Sequence, residues 1–198
     1  MNSQAQVMNA AGEAPIVVSS TRPYPWPYDS RLAPTDFAFV VVTGASAGQS
    51  GQPPADLIDR CREVAAKVTE FGGSVIWVAC NGSELPGDLA PTDMTAESPT
   101  SNGMIGGELE LILRSQRIDR FALAGWPLEI AVHSTMRRAN DIGYECLLLE
   151  DLCVPLDPEL EASAISQILM SGGIFGAVGT TAALLTALET STQQGGDS

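Results

Sequence analysis

The run Gly125-Trp126-Pro127-Leu128-Glu129-Ile130-Ala131-Val132-His133-Ser134-Thr135 leaves an apolar strand and opens a helix. In α/β enzymes such a junction often carries a nucleophile, because the helix N-terminus lowers a thiol's pKa and favours developing negative charge. The helix's first turn offers no thiol, and the methyl group of Ala131 there cannot attack a carbonyl. Other candidates are weaker. Cys80 ends a strand with no basic neighbour in sequence to favour a thiolate, so it reads as a structural thiol. His133, the only histidine, lies two residues past Ala131 and about 200° around the helix, which suits packing or a subunit contact. Glu129 sits where the helix dipole favours a carboxylate. Glu150 and Asp151 are consecutive, and adjacent strand residues point to opposite faces, which argues against an acid/base pair. A single histidine rules out a His-rich metal site, and no other ligand cluster is visible, so no metal or cofactor is expected.

Residues 124–151, AGWPLEIAVHSTMRRANDIGYECLLLED, resemble the isochorismatase-like cysteine hydrolases, in particular the branch containing ureidoacrylate and biuret amidohydrolases. The likeness continues in PYPWPYDSRLAPTDFAFVVV, residues 23–42, and in SGGIFGAVGTTAALLTAL, residues 171–188, so it covers nearly the whole chain. The resemblance implies a three-layer, Rossmann-like α/β fold with a largely parallel sheet flanked by helices. It also implies a chemistry: a cysteine attacks an amide or carbamoyl carbon, an aspartate atop the first strand acts as base and acid, and a lysine completes the triad.

Carried over residue by residue, Thr43 stands at the aspartate, Ser98 at the lysine and Ala131 at the cysteine. The chain has one lysine, Lys67, in a helical stretch far from the loop in question. The nearest upstream carboxylate, Asp36, precedes the first strand and lies roughly 23 Å from Thr43 at about 3.3 Å per residue. Threonine is no carboxylate base near neutral pH, and serine brings no charge to stabilise a thiolate. The family also has a cis non-proline bond shortly before its cysteine. Here that bond is Trp126-Pro127, expected cis, and the proline removes an N–H that an oxyanion hole would use.

Trp126, Pro127, Asn102 and Met104 are expected around a vestigial, closed or apolar pocket, with the indole either filling it or stacking on a ligand. The resulting expectation is a catalytically degenerate homologue, leaning away from an enzyme, that serves as a binding, scaffolding or stabilising subunit. Its partners would be copies of itself, an active paralogue or a small-molecule ligand. The alternative is hydrolysis of a small amide or ureido compound by rearranged pocket residues.

Composition bounds these readings. At 198 residues the chain suits one α/β domain. A net charge of -14, from 24 acidic and 10 scattered basic residues, argues against nucleic acid and anionic membrane as partners. Apolar runs such as Phe37 to Val42 are strand length, not membrane-spanning length, and the N-terminus lacks the order of a secretory signal. A cytoplasmic location is the expectation. The four cysteines, Cys61, Cys80, Cys146 and Cys153, show no CxxC spacing and read as reduced and mostly buried.

The elements follow from periodicity. Residues 1–35 are rich in proline and read as an arm lying over the domain or a neighbour, its first dozen residues mobile. Residues 36–190 form the domain and 191–198 a frayed tail. Strands are expected at 37–42, 74–80, 121–125, 144–150 and 174–178, and helices at 55–71, 107–116, 128–142, 158–170 and 181–188. Between them lie a Gly/Ser/Pro loop at 44–54 and a long polar loop at 81–106, a length that marks function or its inheritance. Alternating strands and helices predict a parallel sheet whose site lies outside the strand C-termini, beside Thr43, Cys80, Trp126 and Glu150-Asp151.

Overall fold

The apolar runs pair into one parallel sheet in the order β3-β2-β1-β4-β5-β6, formed by β1 Phe37–Gly44, β2 Ser74–Cys80, β3 Met94–Ser98, β4 Arg120–Trp126, β5 Glu145–Cys153 and β6 Ala177–Gly179. This computed structural model describes residues 16–29, 31–45 and 53–195. The mobile first dozen residues expected from the sequence, most of the 44–54 loop and the last three residues lie outside them. Helices α1 Ala55–Glu70, α2 Glu108–Ser115, α3 His133–Asp141, α4 Glu161–Leu169 and α5 Thr181–Gly195 flank the sheet. The result is the three-layer α/β architecture that the sequence predicts.

Strands β1 and β4 are buried along their whole length, as parallel strands covered on both faces must be. Their alternate residues feed two cores. Val40 and Val42 point toward α2, α3 and α4, together with Leu109, Leu113, Met136 and Ile168. Phe39 and Val41 point toward α1 and α5, together with Leu57, Val68, Leu184 and Leu188. Strand order reverses between β1 and β4, and at such a switch point the crevice outside the strand ends is the place for a site.

Five elements depart from the sequence reading. The 81–106 loop contains β3, an edge strand with buried Ala96 and Ser98 alternating with exposed residues. The helix expected from Leu128 opens as a π-helical turn, Leu128–Val132, before α3 begins at His133. Strand β5 runs three residues past Glu150, and Ile174 lies before β6, exposed. Helix α5 continues to Gly195, into the segment expected to fray, and buried Ser191 in it donates from its hydroxyl to Leu32 O at 2.8 Å.

The proline-rich segment is fastened to the domain. Arg22 and Val178 exchange backbone hydrogen bonds of 2.9 and 2.7 Å, so this segment covers the free edge of β6, a standard protection against edge-to-edge association. Val18, Trp26 and Leu32 are buried in the α1/α5 core. Arg120, buried at the start of β4, donates to both Asp29 oxygens at 2.9 and 3.1 Å and to Arg31 O at 2.7 Å. Burial alone would raise the Asp29 pKa, but the hydrogen bond and charge of Arg120 outweigh it and hold this carboxyl below its ordinary value.

A depressed folded-state pKa contributes stability above the unfolded value, about 3.9, and loses it as pH falls through the folded one. Asp29→Asn should therefore cost about 0.5–1 kcal/mol at pH 7, discounted because Asp29 is half exposed. In urea melts the gap from wild type should narrow on acidification toward pH 2–3. A gap independent of pH would remove this clamp from the account.

Candidate functional site

The register brings the sequence-selected residues to one line across the carboxyl edge of the sheet. Ser98 pairs with Cys80, Cys80 with Gly44, and Thr43 with Trp126. Ala131 lies just beyond, in the π-helical turn that follows β4. All are buried, with exposures of 1% for Thr43, 3% for Ser98, 0% for Ala131 and 6% for Trp126.

They do not converge on one point. Ala131 packs in the α2/α3/α4 core with Cys80, Met104, Leu128 and Val132, and Ser98, two residues after Ala96, shares that face. Thr43 follows the parity of Phe39 and Val41 and so belongs to the opposite face. The residue of β1 that faces Ala131 is Gly44: a Cβ there would lie 2.7 Å from the Ala131 Cβ and 3.3 Å from Pro127 Cδ. Any side chain reaching Ala131 from β1 would thus be carried by residue 44, which has none.

Trp126 also departs from expectation. Its indole is buried, but in the α1/α5 core with Trp77 and Ala124, not beside Ala131. The two-residue strand period puts residues 124 and 126 on one face and the turn carrying Ala131 on the other. Met104 belongs to the same buried cluster as Ala131. The loop that holds it is fixed to the helix: Gly103 N donates to Thr135 Oγ1 at 2.7 Å, and Ser134 Oγ donates to Ser101 O at 3.1 Å.

Each polar group at the edge is satisfied locally. Thr43 Oγ1 is within 3.3 Å of Val78 O and 3.0 Å of Ser83 Oγ, and the Ser83 hydroxyl also contacts Thr43 O and the Cys80 amide. Ser98 Oγ donates to Asn102 O at 2.7 Å, and Asn102 Oδ1 accepts from Met104 N at 3.0 Å. The amides of Ile130, Ala131 and Val132 all donate to Pro127 O, at 3.3, 3.0 and 3.2 Å. Those N–H groups would have to be free to polarise a substrate carbonyl. The Trp126-Pro127 bond is cis.

The carboxylates among the remaining candidates have structural partners. Glu129 accepts from Leu156 N and Asp157 N at 3.0 and 3.1 Å, tying the turn to the segment after β5, beyond any dipole effect. Asp151 accepts from Thr181 N and Oγ1 at the start of α5, and Glu150 pairs with Arg22 at 2.7 Å. Burial pushes the Cys80 and Cys61 thiols up to about 12, and raises Cys146 and Cys153 well above their usual range. Burial, with Arg137 nearby, lowers the pKa of His133. Among the described residues no group of three or more His, Cys, Asp or Glu side chains could hold a metal ion. Sequence reasoning missed Gly44, Ser83 and Thr135, small residues whose roles depend on contacts between distant segments.

Known proteins agree with this architecture. The chain belongs to the isochorismatase family, whose domain matches residues 35–183. Over 90 residues it is 33% identical to YecD of Escherichia coli O157:H7, an uncharacterised isochorismatase family protein, covering 44% of this chain and 48% of that one. The match thus spans about half the length of this curated relative. Among solved structures, a cysteine hydrolase from Pseudomonas syringae pv. phaseolicola 1448A superposes with a TM-score of 0.70 at 16% identity, covering 81% of this chain and 95% of that one. A nicotinamidase from Staphylococcus aureus gives 0.60 at 17% identity, covering 73% and 98%. These structural likenesses establish the fold.

The contact between residues 44 and 131 is testable. Gly44→Ala should cost about 1–3 kcal/mol through overpacking. Ala131→Gly, itself worth about 1 kcal/mol in a helix, should relieve part of that cost, giving a favourable coupling in a double-mutant cycle read by urea denaturation. Strict additivity would contradict the close approach.

Proposed function

We propose that this chain is a catalytically degenerate member of the isochorismatase family that acts as a binding, scaffolding or stabilising subunit. Such a subunit would assemble with itself or with an active paralogue, in the branch resembling ureidoacrylate and biuret amidohydrolases. The single observation that supports the loss of chemistry is the state of the first helical turn. Ala131 is fully buried with no reactive atom, and the amides around it are already bonded to Pro127 O. Two further features agree with it. Neither Thr43 nor Gly44 supplies a carboxylate, and the one lysine, Lys67, pairs with Glu70 on the exposed side of α1. The retained fold, buried core and fastened edge are what a noncatalytic role still requires.

The test is turnover. Purified protein should release no ammonia above the buffer rate from ureidoacrylate, biuret or nicotinamide, and iodoacetamide should label no thiol in the native state. Ala131→Cys alone should recover little activity, since members of a catalytic triad act as a unit and the base and cation would still be missing. Purification of the untagged protein from its native host should bring down another member of the family or a homo-oligomer. Substantial wild-type turnover, abolished by Cys80→Ala or Asp151→Asn, would replace this reading with that of a rearranged hydrolase.

A further inference from the structure

The amino edge of the sheet, opposite the edge discussed above, holds a cavity of about 510 Å³, within the range of small-molecule sites. Its walls include Tyr24, Tyr28, Tyr144, Glu145, Gly172 and Ile174. The proline-rich segment provides the first two, and the start of β5 provides the carboxylate. Two positions shape the space. A Cβ at Gly173 would lie 3.1 Å from the Tyr24 ring, so the glycine lets that ring seat against the 171–176 turn, whereas Gly172 faces open space. The Tyr24 and Tyr28 rings meet edge to face at 5.9 Å.

The polar group in this aromatic setting is Glu145. One of its oxygens accepts from Tyr28 N at 2.5 Å, and its side chain also hydrogen-bonds Tyr24, but among the described residues it forms no salt bridge. The nearest cation, Arg120, is committed to Asp29, Asp119 and Arg31 O. Burial, joined by Asp29 and Asp119, raises the Glu145 pKa against the opposing pull of the Tyr28 amide and Arg120. The ionised carboxylate therefore lacks a full countercharge of its own. At the rim, Tyr28 and Ile174 are 80% and 72% exposed, leaving apolar surface beside it.

We propose that this cavity binds a small organic ammonium ion, its cationic head on Glu145 and the tyrosine rings and its apolar body against Tyr28 and Ile174. A cation is stabilised there twice, by the carboxylate and by the negative faces of the rings. An anion would meet Glu145, and a neutral ligand would forgo both attractions. The net charge of -14 adds a long-range field of the same sign. The site lies at the far edge from Ala131, so it stands or falls independently of whether the protein hydrolyses anything.

The probe is 2-phenylethylamine, titrated by calorimetry and by NMR of the full-length protein, with 2-phenylethanol as its neutral counterpart. Wild type should bind the amine, with shifts at Tyr28, Glu145 and Gly172, and should bind the alcohol at least tenfold more weakly. Glu145→Gln keeps an acceptor for the Tyr28 amide and should reduce amine affinity about tenfold. Tyr28→Ala, which removes an exposed ring, should reduce it several-fold with an unchanged circular dichroism spectrum, and decides the matter if Glu145→Gln fails to fold. No binding to wild type at millimolar amine, or equal binding to Glu145→Gln, overturns the proposal. So does a dimer in sedimentation that dissociates in Tyr28→Ala without any amine binding, which would assign the patch to a second copy of the chain.

Discussion

The end of β1 and the first helical turn after β4 meet with no side chain between them, and much of the carboxyl edge is arranged around that approach. Gly44 lets the backbone come close to Ala131. Gly125 permits the matching approach on β4, where a Cβ would fall 1.9 Å from Val42 O and φ is +134°. The turn then widens to a π-helical form in which one carbonyl, Pro127 O, takes three amides. In this fold the switch point between β1 and β4 is where a crevice would open. Here the backbones at Gly44 and Ala131 approach closely, and Gly103 N bonds Thr135 on the neighbouring helix.

A buried site of this kind is a packing arrangement. Every described polar side chain at it, from Thr43 and Ser83 to Ser98 and Asn102, ends on a backbone group or on another hydroxyl. Such satisfaction removes the desolvation cost of burying polar atoms. Under the proposed noncatalytic role, no free donor is needed at this edge. The amino edge differs: there a carboxylate with hydrogen bonds but no salt bridge among the described residues, two tyrosine rings and exposed apolar side chains border open space. One end of the sheet is thus closed around neutral hydroxyls and backbone groups, and the other presents a carboxylate beside aromatic surface.

Much of this was legible in the residues. Runs such as FAFVVV and RFALAGW are apolar on both faces, which marks strands buried by helices on either side, and the spacing of Leu57, Ile58, Cys61, Val64 and Val68 gives α1. Strand β3 was not legible, because an edge strand with one exposed face presents only a five-residue alternation, MTAES, inside a polar loop. Near the end of α5, Ser191 reaches Leu32 across 159 positions of sequence, which no local pattern encodes. At the site, the absence of thiol, carboxylate and amine was readable from residue types alone. The ring of Trp126 goes to the opposite core because strand parity, and not its nearness in sequence to Ala131, sets its direction. The pairing of Gly44 with Ala131 joins segments that only the folded sheet brings together.

The most direct measurement of the central claim, that the first turn retains nothing able to activate a carbonyl, is amide hydrogen exchange at Ile130, Ala131 and Val132, followed by NMR with and without excess biuret or nicotinamide. The account predicts exchange slowed far below the rate of a free peptide at all three, with no change on adding either amide. Rapid exchange at Ala131 that slows when an amide is added would reveal a free donor facing a ligand, and would contradict the account.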